Sequence, residues 1–242
     1  MALSDDLNRM VSDYLAGDYE TYEPRGVPNP EDIALGNKAA KLDATTLFID
    51  VRQSSDITNA FRRQTAAKMM KGYFDGAVRV INNNDGKVRS FNGDGMLAIF
   101  VGGTRSNNAV KAAMQVKWFV LHVLRPKFDR YFENNQSAAG QALGFSIGCG
   151  LDDGEIFAVR VGIRGTNDVA WVGRCTNTAA KLANDASSPR EIAITRAVYQ
   201  RLNDDRKFAS NDGKHMWSDE WCLEIGGTTR AIRMTSYWWS VS

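Results

Sequence analysis

The 242-residue chain holds only three cysteines, Cys149, Cys175 and Cys222, odd in number and far apart. Disulfide frameworks and thiolate zinc sites need paired or closely spaced cysteines, so the three are expected to be small packing residues. Long hydrophobic runs are missing as well: no stretch approaches the roughly 20 apolar residues that cross a bilayer. Met1 to Asp6 lacks the basic and apolar regions of a secretory leader, so a cytoplasmic location is expected. Neither sign of charge is in excess. With 30 basic against 28 acidic residues, the formal net charge of +2 gives no general attraction to nucleic acid or to an anionic membrane. What is present, 43% hydrophobic and 24% charged residues, suits a globular domain with length for one core and an extension.

Residues 1–43 read as that extension, with the main domain at 44–242. Leu7, Met10, Val11 and Tyr14 recur at helical spacing, which predicts a short amphipathic helix over Asp5 to Leu15 that must bury its stripe on something. Tyr22 to Pro30 then breaks regular structure and reads as a linker or a strap. Asn29-Pro30-Glu31-Asp32 looks like a cap with proline at the first helical position. In the main domain, a helix is expected over Ile57 to Val80, a strand over Val88 to Phe91 and another over Met96 to Val101. A long helix from Asn107 to about Phe132 should kink or restart at Pro126. Strands are expected at Gly144 to Leu151, Glu155 to Val159 and Ile192 to Thr195, helices at Asn177 and over Ala197 to Leu202, and a final strand pair between Trp217 and Trp239. His122 has no partner pattern and reads as structural or exposed, not as a general base.

Two acids carry the chemistry. Asp50 closes the apolar run Phe48-Ile49-Asp50-Val51, and Asp94 sits in the turn Gly93-Asp94-Gly95 between two strands. Taken singly, Asp50 reads as a helix N-cap and Asp94 as a hairpin residue. Taken together, each is a carboxylate that a strand holds at its end. Hard divalent cations need only one or two such groups, because water and substrate phosphates complete the shell.

A third segment, Gly144 to Leu182, runs through Asp152-Asp153-Gly154-Glu155, where the first strand is expected to end, and Trp171-Val172-Gly173 to a helix start at Asn177-Thr178-Ala179-Ala180-Lys181. In this order, from about Thr45 to Ile194, the chain resembles the class III nucleotidyl cyclases. The resemblance implies an α/β sandwich of the ferredoxin-like type and two divalent metal ions per site, Mn²⁺ or Mg²⁺, held by Asp50 and Asp94 with the carbonyl of Val51. It makes Ser54 and Ser55 the small hydroxyl residues that follow the metal strand. It also implies that Asn177 orients the ribose and that Lys181, one helical turn later, stands where the family usually has an arginine on the reacting phosphate. A lysine there neutralises charge without a bidentate grip. Arg164, in the loop before Asp168, is the expected triphosphate contact, with Lys214 a candidate for the family's late triphosphate lysine.

Where purine-using members carry charged or polar base readers, this chain has Ser90 and Ala170. Neither supplies a charged hydrogen-bond set, so selection for a purine edge should be lost. This combination resembles the pyrimidine cyclases of bacterial Pycsar anti-phage systems, which make cyclic UMP or CMP for a separate effector protein. Arg52, Arg89 and Trp171 flank the two positions and are candidates to fill space or donate hydrogen bonds to a smaller ring. In the family the Asp50/Asp94 set and the Asn177/Lys181 set meet only across a head-to-tail homodimer, which completes two equivalent sites. The alternatives are a class III adenylate or guanylate cyclase and a catalytically silent regulatory module.

Overall fold

The computed structural model describes residues 2–134, 144–163 and 165–241. Its centre is a ferredoxin-like β-α-β-β-α-β unit. The strands β2 (Lys38–Arg52), β3 (Lys87–Asn92), β4 (Gly95–Val101) and β5 (Ser146–Ile163) stand side by side in the order β3-β4-β2-β5. Helices α2 (Ser54–Ala60) and α3 (Arg63–Asn82) form the first crossover, and α4 (Arg105–Phe119) with α5 (Arg125–Asn134) the second. Beyond β5 the sheet continues through β7 (Ile192–Thr195), β9 (Thr228–Thr235) and β8 (Trp221–Ile225), while β1 (Glu20–Tyr22) pairs with β2 and β6 (Thr166–Val172) with β5.

Strand alternation sorts the core into two faces. Leu47, Ile49, Val51, Met96, Ala98, Phe100, Cys149 and Leu151 point to one face and pack under α3 and α4. Ala40, Leu42, Ala44, Leu97, Ile99, Ile156, Ala158 and Trp171 belong to the other. On this second face helix α6 (Arg174–Asp185) lies directly on β5. A side chain at Gly150 would collide with the backbone of Ala179 and Ala183, and one at Gly148 with the carbonyls of Ala183 and Ala186, so these two glycines permit the contact. The short helix α7 (Arg196–Gln200) follows β7.

Several expectations are corrected. Asp152-Asp153-Gly154-Glu155 is not a turn, because β5 runs unbroken for 18 residues. Asp152 is buried, the carboxylate of Asp153 is nearly so, and both are partnered from distant segments. Asp153 is held by Arg105 at 2.7 Å, Arg201 at 2.8 Å and the hydroxyl of Thr45 at 2.7 Å, and Asp152 accepts from Thr195 at 2.6 Å. The helix expected over Ile57 to Val80 breaks at Phe61 and Arg62, where the Phe61 ring leaves to stack on Phe132 at 4.5 Å. β2 begins at Lys38, so the division expected at 43/44 falls inside a strand. The N-terminal helix, α1 (Leu3–Ala16), forms but buries none of its residues. Cys149 and Cys175 are buried as expected, but Cys222 is exposed. His122 is exposed, with its ring against those of Trp118 and Trp238. Around Pro126 the long helix does change: a π-helical turn, Val120–Leu124, precedes the restart at Arg125. Among the described residues no helix is long and apolar enough to cross a membrane.

Candidate active site

Asp50 is the antepenultimate residue of β2, just past the last β2–β4 pair, Ile49 with Met96, and opposite Gly148 of β5. It is not a helix cap: Gln53, in the left-handed region at φ 56°, occupies the N-cap of α2. That tight turn sets Ser54 and Ser55 in the first helical turn, where amides have no partner within the helix. Asp94 and Gly93 (φ 62°) make the two-residue turn between β3 and β4. The Oδ1 of Asp50 lies 3.2 Å from the position a side chain on Gly95 would take. Burial and then the like charge of Asp94 push the Asp50 carboxyl above its ordinary range, against a smaller opposing pull from Arg52. The two acids thus form one electrostatic unit.

Asn177 and Lys181 lie elsewhere. Both are exposed on α6, and with Arg174, Thr178, Gly226 and Arg230 they line a cleft of about 320 Å³ between that helix and the β8–β9 hairpin. The Lys181 ammonium stands 3.2 Å from where a side chain on Gly226 would begin. Among the described residues none of Arg174, Lys181 and Arg230 has a carboxylate partner within salt-bridge distance. The Nε of Arg230 is buried and unpaired. Three cations without a salt-bridge partner around an open cleft suit a polyanion, although the charge of Arg230 also acts on the Asp152 carboxyl.

Within one chain the two sets do not meet. Cys175 lies beside Gly154 and Ala179 over Gly150, so Asn177 stands near the level of Asp152, four residues up β5 from the Gly148 opposite Asp50. At roughly 3.3 Å per residue that is about 13 Å along the strand. The sets also lie toward different edges of the sheet: Asp50 and Asp94 toward the β4–β3 edge, and the cationic cleft toward the β9–β8 edge.

The proposed base-side positions divide. Ser90 pairs with Leu97 and so shares its face, with its hydroxyl 3.0 Å from Asn92 Oδ1. Ala170 pairs with Val159 and points to the opposite face from Trp171, which pairs with Ala158. Trp171 is buried, with its indole N–H unpartnered. Arg52 donates to the carbonyl of Ala186 at 2.5 Å, tying β2 to the end of α6. Arg89 is engaged by Val27 and Asn29. Lys214 pairs with Asp212 in a loop away from the cleft. Arg164 lies outside the described residues.

Residues 37–228 match the family model for the adenylate and guanylate cyclase catalytic domain. The chain belongs to that family. It is a class III nucleotidyl cyclase, and its described fold agrees with solved members: the guanylyl cyclase Cya2 superposes with a TM-score of 0.67 at 16% identity, over 82% of this chain and 94% of that one. The adenylyl cyclase CyaB from P. aeruginosa gives 0.61 at 15% identity, over 81% and 95%. Curated relatives are nearer. A uridylate cyclase of Burkholderia cepacia is 33% identical over 100% of both chains, and one of Xanthomonas perforans 34% identical over 90% of both. In this cyclase, Arg174 and Arg230 join the candidate site without any local sequence signal. Arg230 is a cation within a strand, and only the packing of the hairpin against α6 brings it to the cleft.

Proposed function

We propose that the protein is a homodimeric pyrimidine nucleotide cyclase that converts UTP, or CTP, to the 3′,5′-cyclic monophosphate and pyrophosphate, and that the product signals to a separate effector in anti-phage defence. The observation that carries this reading is the separation of the acidic pair, Asp50 and Asp94, from the cleft of Asn177, Lys181, Arg174 and Arg230. A two-fold head-to-tail arrangement sets the acids of one protomer against the cleft of its partner and completes two sites. The substrate class is supported by the curated relatives named uridylate cyclase and by the uncharged base-side residues Ser90 and Ala170.

The acidic pair fits divalent metal. The charge of Asp94 raises the proton affinity of Asp50, a repulsion that a cation between the two carboxylates relieves, and among the described residues no cluster of three or more His, Cys, Asp or Glu offers a nitrogen or sulfur site instead. Asp50, Asp94 and the carbonyl of Val51 would hold Mg²⁺ or Mn²⁺. Such ions, when bound, lower the pKa of the ribose 3′-hydroxyl and neutralise charge on the triphosphate. The chain's own groups do the rest. Asn177 orients the ribose so that O3′ faces the α-phosphorus. Lys181 meets charge growing on the α-phosphate, Arg174 and Arg230 bind the triphosphate, and the first-turn amides at Ser54 and Ser55 donate to phosphate oxygens. Incubating the purified protein with each of the four nucleoside triphosphates and Mn²⁺ tests the reading. Cyclic UMP or cyclic CMP is expected as the main product, and exclusive turnover of ATP or GTP would overturn the substrate assignment.

A further inference from the structure

The strap between β1 and β2 lies across the second face of the sheet. Ile33 is fully buried, Pro28 is buried and Val27 packs on the same cluster as Leu97, Ile99 and Trp171. Two guanidinium groups pin its backbone from opposite sides. Arg89, the residue before Ser90, donates to the carbonyl of Val27 at 2.8 Å and to Asn29 Oδ1 at 3.1 Å. Arg160 of β5 donates to the carbonyl of Ile33 at 3.2 Å while its Nε is fixed on Asn167. Internal bonds stiffen the span: the Asn29 amide donates to Asp32 at 2.8 Å, and the Tyr22 hydroxyl to the Asp32 carbonyl at 2.9 Å.

This fixed segment runs from the β3 side, where Ser90 faces the strap's own cluster, to the β6 side, where Trp171 does. It lies outside the residues matched by the family's catalytic-domain model, which begins at 37, yet inside the full-length match to the uridylate cyclase of Burkholderia cepacia. We propose that the strap, clamped by Arg89 and Arg160, is the wall of the base pocket that admits a single-ring pyrimidine and excludes a purine. The inference rests on the reading of the protein as a pyrimidine cyclase and names how that choice is made. On the strap's face Ser90 offers no charged reader, and Ala170 points to the other face, so selection beside the strap falls to shape. A pocket rejects a larger ligand by steric conflict with groups that cannot move, and the two clamps deny the strap that movement. Arg89 is thereby a positioning residue, acting through Val27, not a reader of the base.

The test measures kcat/KM for UTP, CTP, ATP and GTP with Mn²⁺ in the wild type, Arg89→Ala, Val27→Ala and the surface control Arg196→Ala. Val27→Ala keeps the carbonyl that Arg89 grips and removes only two methyl groups, so it remains informative if Arg89→Ala unfolds. Both strap variants are expected to raise the ATP-to-UTP ratio by about tenfold or more, the range a small change in an apolar pocket wall commands, with the control unchanged. Wild-type turnover of UTP or CTP with ratios unmoved in folded strap variants would overturn the strap's role and leave the pyrimidine reading standing. Wild-type turnover of purines alone would overturn both.

Discussion

Asp50 Oδ1 and Gly95 lie close across the end of the β2–β4 ladder, so that a side chain on Gly95 would crowd the carboxyl. An added Cβ on Gly95 would stand 3.2 Å from Asp50 Oδ1 and 2.9 Å from the ring of Phe48. Gly95→Ala should therefore displace one metal-side acid without removing it. The crowding asks the carboxyl to give by a few tenths of an ångström; as about 1 Å of misplacement can cost on the order of 10²-fold in rate, kcat/KM should fall by up to about 10-fold, with a rise in the Mn²⁺ concentration needed for half-maximal activity. Unchanged metal dependence would show that Asp50 does not position an ion.

Sharing of sites between protomers has a sharper signature. Asp50→Asn and Asn177→Ala are each expected to be inactive alone. Co-expressed in equal amounts, half of the dimers pair one of each, and these carry one site with both defects and one with none. Activity should return to about a quarter of wild type. A mixture as inactive as its components would place both sets in the same site.

Asp153 is the hub of a charge cluster with the buried Arg105 and the exposed Arg201. Asp153→Ala leaves the Arg105 guanidinium buried without its counter-ion, a loss of about 3–5 kcal/mol for such a pair. Urea unfolding should show the midpoint fall accordingly, and a change below about 1 kcal/mol would mean that Arg105 finds water instead.

Burial pushes the Asp152 carboxyl above its ordinary range, against the pull of the Thr195 hydroxyl, the Asp153 amide and the charge of Arg230. With the folded value raised above the unfolded one, the folded state holds the proton more tightly. That contribution to stability is complete below the unfolded value, about 3.9, and is lost as pH rises through the folded value. Asp152→Asn cannot ionise, so its stability relative to wild type should improve as pH rises from 3.5 to 7. Urea titrations across that range check it, and a constant difference would refute the assignment.

Much of this arrangement could be read locally. Asp50 ends an apolar run and Asp94 is flanked by glycines, so strand end and hairpin announce themselves in a few residues. Asn177 and Lys181 share a helix face by their spacing alone. Asp152-Asp153-Gly154 misled for the opposite reason. Acids beside glycine look like a turn, and what keeps them in a strand is Arg105, Arg201 and Thr195, none of them nearby in sequence. Arg230 was illegible on the same grounds. Tyr22 to Pro30 could be read as a linker or a strap, but its anchors Val27 and Ile33 show no periodicity and acquire meaning only from the sheet beneath them.

The unbroken length of β5 ties these parts into one mechanical body. At one end it carries Arg160, where the strap is pinned, and in its middle Asp152 and Asp153, beneath the helix that bears Asn177. A strand with no bulge or turn has nowhere to absorb displacement. Under the proposed reading, tension applied at the strap would be delivered along β5 to the helix that bears Asn177, coupling fit at the base to alignment of the reacting hydroxyl.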